Sequence, residues 1–244
     1  MPYRPSLPWR KIQDYLLELG ASRDIQEFYH KSTHNVYSLI PVDVSALFFI
    51  GPFQIAESCG ADPKQIPVYN DHYSRINPIA SYDLSMLTWI DWRDFEDTEF
   101  VADFMRPNGV RYSLARYMPS NPISLSIQRS PQSPTFQELH YEILGAINPH
   151  LNNIHTYLEI IAKLEAEQVH AAELARGCRV LSRREAEVAA LLCQRLSVPV
   201  IATKLLVSPH TVQRHIANIY EKLKVGNRRQ LLLKLLGDRA KEMK

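Results

Sequence analysis

The sequence predicts an α+β protein of two domains: helices around an antiparallel sheet come first, and an all-helical domain follows. Apolar residues alternate with polar ones in the first half and recur every three or four positions in the second. The 244 residues carry a formal net charge of +2. Residues 1–175 have 13 basic and 21 acidic side chains, whereas residues 176–244 have 15 basic and 5 acidic. Such asymmetry indicates that the second part meets nucleic acid or another anionic surface.

The overall composition is that of an ordinary globular protein. It is 45% hydrophobic and 22% charged, which argues against disorder. No apolar run approaches the roughly 20 residues that span a bilayer, and the N-terminus lacks the apolar region of a signal peptide. Cys59, Cys178 and Cys193 have no CxxC spacing, which suits a reducing compartment and gives no metal or cofactor motif. We therefore expect a cytoplasmic protein with no cofactor, no metal and no membrane association.

Two strand pairs are predicted in the first half. Residues 44–50 and 53–56 flank a Gly-Pro turn, and residues 110–117 and 123–129 flank the turn-rich segment 118–122. A helical spacing precedes the first pair at residues 12–19, and a short helix at residues 99–106 precedes the second pair. A long helical stretch follows from about residue 136, which Pro149 is expected to interrupt or kink.

The basic segment carries three successive helix signals. Ser182, followed three residues later by Glu185, has the spacing of a capping box. A second short helix is predicted at residues 200–205. Ser208 followed by Pro209 is the preferred order at a helix N-terminus, so a third helix is predicted from Pro209 to about Lys224.

A helical wheel divides this third helix into two faces. The face expected to pack inward carries Val212, Ile216, Ile219, Tyr220 and Leu223. The opposite face carries His210, Arg214, Ala217, Asn218 and Glu221, with Gln213, Thr211 and His215 on its flanks. Two short helices joined by a tight turn form a helix-turn-helix, whose second helix enters the major groove of double-stranded DNA.

The side chains of the exposed face suggest separate roles on DNA. Arg214 can donate two hydrogen bonds to guanine, and Gln213 can pair bidentately with adenine. Four further residues suit phosphates, which set the register but carry no sequence information: Thr211, His215, Asn218 and Lys222. Lys204, Ser208, His210 and Ala217 complete the predicted DNA-binding set.

The segment 180–236 resembles the LuxR-type (GerE-type) helix-turn-helix family. The matching residues are LSRREAEV at 181–188, LS at 196–197, IA at 201–202, VSPHTVQRHIANIYEKLKV at 207–225 and NR at 227–228. The resemblance implies a four-helix domain that binds DNA as a dimer, bases read by Gln213, Arg214 and Ala217, and a fourth helix that contributes to dimer contacts. Members commonly have Asn-Lys-Glu before Ile-Ala, whereas this chain has Val198-Pro199-Val200, so a phosphate-contacting lysine is lost.

The first half is similar in its order of elements to GAF/PAS-like sensor domains, including the autoinducer-binding domain of quorum-sensing LuxR-type proteins. In those receptors a Trp, a Tyr and an Asp-Pro recur, and the Asp holds the amide of an acyl-homoserine lactone. This chain has Tyr69 where Trp is usual, then Tyr73, and Asn77-Pro78 where Asp-Pro is usual. An Asn accepts a hydrogen bond more weakly than a carboxylate. The residues expected to bind a ligand are Tyr69, Tyr73, Asn77, Trp89, Trp92 and Tyr112.

These patterns predict a GAF/PAS-like sensor and dimerisation domain at 1–170, a linker at 171–179 and a DNA-binding domain at 180–244. The expected function is transcription regulation by a homodimer under small-molecule control, the ligand being an acyl-homoserine lactone or another signal. The first alternative is an orphan DNA-binding dimer whose N-terminal aromatics only fill a core. The second is an enzyme or adaptor with a degenerate helix-turn-helix, but the sequence has no nucleophile–base pair to support an enzyme.

Overall fold

The computed structural model describes residues 6–51, 53–81, 89–116 and 121–242. The chain divides into two compact units, Met1–Glu159 and Ile160–Lys244. Among the described residues, no helix combines the length and the apolar character that crossing a membrane requires.

The first unit is built on a five-stranded sheet. Helices α1 (Trp9–Gly20) and α2 (Ile25–His34) precede β1 (Val44–Phe49) and β2 (Gln54–Cys59), and the later strands are β3 (Ile90–Asp91), β4 (Tyr112–Ala115) and β5 (Ile123–Arg129). The order across the sheet is β2-β1-β5-β4-β3, and the neighbouring strands run antiparallel. Both predicted strand pairs are therefore confirmed, while residues 117–120 of the turn in the second pair lie outside the described residues.

Strand alternation gives this sheet two different faces. On one face Leu47, Leu114 and Leu125 are fully buried against α1, α2 and the helix that follows β5. On the other face Ala46, Phe48 and Ala115 belong to a separate apolar cluster. Because the two sets of side chains alternate along the same strands, each strand contributes to both cores.

Short helical segments cover the second face. Helix α3 (Gln65–Val68) continues through a π-helical turn (Tyr69–Tyr73) into α4 (Ser74–Ile76), and a second π-helical turn lies at Phe100–Met105. Tyr69 and Phe100, one from each turn, are almost completely buried and their rings meet edge to face at 6.2 Å between centroids. The short helix predicted at residues 99–106 is this second turn.

Helix α5 runs without interruption from Glu138 to Gly177 and contains Pro149. The expected break at Pro149 is therefore absent. Ile147 and Leu151, on either side of the proline, are fully buried in the core of the first unit. Tertiary packing thus compensates for the hydrogen bond that a proline removes from a helix.

The division of the chain differs from the predicted boundary at residue 170. Ala171, Ala172 and Ala175, near the end of α5, are buried in the same cluster as the helix-turn-helix residues. In the sequence this alanine-rich segment resembles a polar connection between domains. In the structure its small side chains let neighbouring helices approach closely. Whether residues 171–179 act as a linker stays a prediction.

The second unit contains the four predicted helices: α6 (Arg183–Cys193), α7 (Val198–Leu205), α8 (Pro209–Leu223) and α9 (Arg228–Glu242). Val188 of α6, Ile201 of α7 and Val212 of α8 are fully buried in one cluster, which also includes Leu231 of α9. The capping box at the start of α6 is formed as predicted, with both the Ser182 and the Glu185 side chains accepting backbone N–H groups. The C-terminal fold is thus the predicted all-α domain.

Candidate functional site

The N-terminus of α8 is fixed by its cap. The Ser208 hydroxyl oxygen accepts a hydrogen bond from the backbone N–H of Thr211 at 3.1 Å, and the two hydroxyl groups lie 2.8 Å apart. Pro209 occupies the first helical position, where its missing N–H is not needed. Leu206, the residue after α7, adopts a left-handed conformation with φ 53°. This turn directs the start of α8 away from α7.

The two faces of α8 are those of the helical wheel. Val212, Ile219 and Leu223 are buried, and Ile216 and Tyr220 are half-buried against the same core. The exposed side chains of the helix are His210, Gln213, Arg214, Ala217, Glu221 and Lys222, with Pro209 at its start. Thr211, His215 and Asn218 are half-buried at the edges of this exposed face.

The hydrogen-bonding groups of Gln213 and Arg214 are not used by any described residue. Neither side chain has a hydrogen bond or ion pair with any described residue, and both are exposed. Ala217 lies one turn further on, on the same side of α8. Its small methyl group leaves room for another molecule to approach the helix closely there. Direct reading of base edges requires unpaired hydrogen-bonding groups that are held on a well-ordered helix. The capped α8 presents such groups.

Lys222 occupies a different environment from the one that its sequence position suggests. Its Nζ donates to Oε2 of Glu185 at 2.6 Å, and the Glu185 side chain is only 5% exposed. The same carboxylate oxygen accepts the backbone N–H of Ser182 at 2.8 Å. The Lys222 hydrogen bond, followed by that of Ser182, lowers the pKa of Glu185 to about 2. Lys222, predicted to contact phosphate, is therefore paired with a buried carboxylate, although its own side chain is 41% exposed.

Several other basic side chains of the second unit remain available. The exposed arginines and lysines of this unit that have no ion pair among the described residues are Lys163, Arg176, Arg179, Arg195, Lys204, Arg214, Lys224 and Arg229. In contrast, Arg183 and Arg184 pair with Glu187. Unpaired exposed cations supply salt-dependent attraction to a phosphate backbone without selecting a sequence.

The unusual start of α7 does not disturb the helix. Val198-Pro199-Val200 forms its first turn, with proline in the favourable first-turn position, and the Ser197 side chain makes no capping hydrogen bond. Val200 is 43% exposed, so an apolar side chain stands where the resemblance implies a polar one. Lys204, at the other end of α7, is the exposed cation of this helix.

The first unit contains a cavity of about 120 Å³ between the sheet and the π-helical turns. Its floor is a row of small side chains on three adjacent strands, because Ser126 of β5 stands opposite Ala46 of β1 and opposite Ala115 of β4. Aromatic rings enclose it, among them Phe48, Phe53, Tyr69, Trp92, Phe100 and Phe104. The cavity therefore exists because small residues occupy the centre of the sheet.

Three of the residues predicted to bind a ligand line this cavity: Tyr69, Asn77 and Trp92. Asn77 Nδ2 donates to the Tyr69 hydroxyl at 3.0 Å, and Asn77 Oδ1 accepts the backbone N–H of Ile79 at 3.2 Å. Trp92 Nε1 donates to the hydroxyl of Ser113 at 2.8 Å. Burial raises the pKa of Tyr69 to about 12, so its phenol group is a hydrogen-bond donor at neutral pH.

The other three predicted residues do not reach the cavity wall. Tyr112 alternates onto the opposite face of β4, against the core of α1, α2 and α5, and Trp89, just before β3, is 48% exposed. The Tyr73 ring packs against Phe104 at 4.8 Å between centroids.

Sequence reasoning missed Ser126 and Gln128, although the parity of β5 places them on the cavity face. No group of histidine, cysteine, aspartate or glutamate side chains among the described residues could hold a metal ion.

The comparisons with known proteins concern both units. Residues 179–235 match the family model described as "Bacterial regulatory proteins, luxR family" (GerE). The chain is 42% identical over 57 residues to the spore germination protein GerE of Bacillus subtilis (strain 168). The matched segment covers 23% of this chain and 77% of that protein.

Among solved structures, the chain is similar to Escherichia coli SdiA at 18% identity, with a TM-score of 0.46 over 93% of this chain and 95% of that one. It is also similar to the GAF domain of an Acinetobacter phosphoenolpyruvate-protein phosphotransferase at 12% identity, with a TM-score of 0.47 over 65% of this chain and 98% of that one. The identity with GerE extends over most of that protein. The chain thus belongs to the LuxR family of bacterial regulatory proteins.

Proposed function

We propose that the protein is a sequence-specific transcription regulator that binds double-stranded DNA through α8 as a homodimer, and that a small molecule in the N-terminal cavity controls it. The observation that carries the DNA-binding part is the pair Gln213 and Arg214, both exposed and unpaired among the described residues. Their two side chains supply the bidentate donors and acceptors that distinguish base pairs in the major groove.

Homodimer formation follows from how a single α8 reads DNA. One recognition helix contacts only a few base pairs, and two related helices reach half-sites one helical turn apart. Helix α9 offers an apolar outer position for such contacts, since Leu233 is 59% exposed while Leu231 and Leu235 of the same helix are buried. We expect the preferred DNA site to be a palindrome of two short half-sites.

Ligand control is supported by the cavity. A mostly apolar cavity with a few convergent polar groups is the usual form of a small-molecule site. A ligand would change DNA binding only if it binds one state of the protein more tightly than another. The rival function, a ligand-independent DNA-binding dimer, predicts that no small molecule alters the affinity for DNA.

The DNA-binding proposal is tested by selecting binding sites for the full chain from a random DNA pool. Arg214→Ala is expected to relax base preference at one position of each half-site, at a cost of about 1–3 kcal/mol of discrimination. Arg229→Ala removes an exposed arginine from α9, outside the recognition helix, and is the matched control. It should weaken binding to all sequences alike. If both variants select the same sites as the unaltered protein, α8 does not read the bases.

The ligand-control proposal is tested separately on the selected DNA site. Purified protein is titrated with that DNA in the presence and absence of small-molecule extracts from bacterial cultures, and its thermal unfolding is followed in parallel. Control by a ligand requires an extract that changes both the DNA affinity and the melting temperature. If no extract changes either quantity, the protein acts as a ligand-independent dimer.

A further inference from the structure

The cavity presents two hydrogen-bonding side chains that the fold leaves unused. Ser126 and Gln128 stand two residues apart on β5 and both line the cavity. Ser126 is only 4% exposed, yet neither side chain has a hydrogen-bond partner among the described residues. The Ser126 hydroxyl and the amide of the half-buried Gln128 therefore remain available to form hydrogen bonds with a ligand in the cavity.

The other polar groups of the wall are mostly engaged with each other. The Asn77 amide contacts Tyr69 and the backbone of Ile79, and Trp92 donates to Ser113. The Tyr69 oxygen accepts from Asn77 and so keeps its own hydroxyl hydrogen free to donate. The polar side chains that remain for a ligand therefore include those of Tyr69, Ser126 and Gln128, and that of Gln65 on α3.

The described wall offers no buried charge to pair with an ion. Among the described residues that line the cavity, only Asp62 has a charged side chain at neutral pH, and it is exposed. No described lysine, arginine or histidine belongs to the lining. Transfer of an unpaired carboxylate or ammonium into such surroundings is strongly unfavourable. The chemistry of the wall thus selects an uncharged molecule.

The volume limits the size of that molecule. The cavity measures about 120 Å³, somewhat less than the roughly 150 Å³ of an engineered apolar cavity that holds benzene. A single ring, or a branched chain of similar volume, fills this space.

We propose that the cavity binds an uncharged monocyclic molecule of about benzene size that carries a hydroxyl or carbonyl group, with the oxygen held by Ser126 and Gln128. The ring lies over the small side chains of Ala46 and Ala115, between the aromatic walls. This inference rests on the proposed ligand control and names the chemical class of the ligand.

The test uses the full chain and three probes that differ in one property each. Phenol has the ring and the hydroxyl, toluene has the ring alone, and benzoate has the ring with a negative charge. Binding is measured by calorimetry and by the melting temperature, which a ligand raises when it binds only the folded state. Phenol is expected to bind most tightly, toluene more weakly, and benzoate not at all at equal concentrations.

Two variants on the same strand face separate the hydrogen bond from the fold. Ser126→Ala is expected to weaken phenol binding about fivefold to tenfold, the loss of one hydrogen bond, and to leave toluene binding unchanged. Ser124→Ala is the matched control, because Ser124 is also buried without a partner and faces the same side but does not line the cavity. It should leave the affinity for both probes unchanged.

The outcomes distinguish this inference from the proposed function. If benzoate or a long acyl compound binds and changes the DNA affinity while phenol does neither, the ligand class is wrong and ligand control stands. Equal loss of phenol binding in Ser126→Ala and Ser124→Ala contradicts the assigned hydrogen bond. If none of the probes or extracts changes the melting temperature or the DNA affinity, the control function itself is wrong.

Discussion

The ammonium group of Lys222 lies 2.6 Å from a carboxylate oxygen of Glu185. The contact joins the last turn of α8 to the first turn of α6, across 37 positions of sequence. Glu185 also closes the capping box with Ser182, so one buried carboxylate holds both the start of α6 and the end of the proposed recognition helix. The orientation of α8 thus depends on a residue outside it.

Replacement of this carboxylate is expected to lower stability in a pH-dependent way. Glu185→Gln should reduce the free energy of unfolding by about 1–3 kcal/mol near neutral pH, because hydrogen bonds to a charged group are lost. The folded pKa of about 2 lies below the ordinary value of 4.5, so the stabilisation is complete above the ordinary value and is lost as pH falls towards the folded one. Urea unfolding of both proteins between about pH 7 and pH 3 should therefore show the difference shrinking in acid.

The matched control for that experiment is Glu187→Gln. Glu187 stands on the same helix and pairs with Arg183 and Arg184, but its own side chain is 37% exposed whereas that of Glu185 is 5% exposed. Surface ion pairs contribute little to stability, so this variant should unfold at nearly the urea concentration of the unaltered protein. An equal loss in both variants would mean that the Lys222 contact has no special role.

Ser208 combines two predicted roles that substitution can separate. Ser208→Ala should cost about 1 kcal/mol of stability, because the cap on Thr211 is removed. Ser208→Asp keeps a capping oxygen and adds a negative charge, so it should retain stability but weaken DNA binding if the side chain lies near a phosphate. Urea unfolding and DNA titration measure the two effects. Unchanged DNA affinity in Ser208→Asp would restrict Ser208 to capping.

Replacement of the left-handed residue between α7 and α8 by glycine is expected to stabilise the protein. Leu206 has φ 53° and is 91% exposed, so it has backbone strain and little packing. Leu206→Gly should raise the free energy of unfolding by about 0.5–1 kcal/mol. The same substitution at Leu233, which is 59% exposed on α9, should instead lower it, because glycine weakens a helix interior. Thermal unfolding of the two variants would contradict this account if both changed in the same direction.

Gly60, which follows β2, should not tolerate a side chain. Its φ is +87°, and an added Cβ would overlap the backbone oxygen of Asp43. Gly60→Ala is therefore expected to lower the free energy of unfolding by about 2 kcal/mol or more. Gly20→Ala, at the end of α1, is the control, since nothing lies within 4 Å of its added Cβ. That variant should be neutral or slightly stabilising, and chemical unfolding of both proteins checks the contrast.

The helix-turn-helix was predictable because its signals are local. The caps at Ser182 and Ser208 and the spacing of Val212, Ile219 and Leu223 lie within a few residues of each other, and the structure agrees with all of them. The ion pair of Lys222 was not predictable, because its partner Glu185 is distant in sequence. Local periodicity specifies which face is buried but not which neighbour a long side chain reaches.

The cavity was predicted only in part for a related reason. Of the aromatic residues predicted to bind a ligand, Tyr69 and Trp92 line the cavity, but strand parity turns Tyr112 to the other face. The small residues Ala46, Ala115 and Ser126, which create the space, have no distinctive chemistry in sequence. Their importance depends on strand pairing, and pairing partners from β1, β4 and β5 cannot be read from any one segment.

The alternation along β5 also affects how the protein can change during evolution. Ile123, Leu125 and Ile127 support the core on one side, while Ser126 and Gln128 line the cavity on the other. Single substitutions at the even-numbered positions can therefore alter the shape and polarity of the cavity while the packing of the helices is preserved. An insertion or deletion of one residue within the strand would exchange the two faces at once. The cavity wall can thus change by substitution, whereas the length of β5 is constrained.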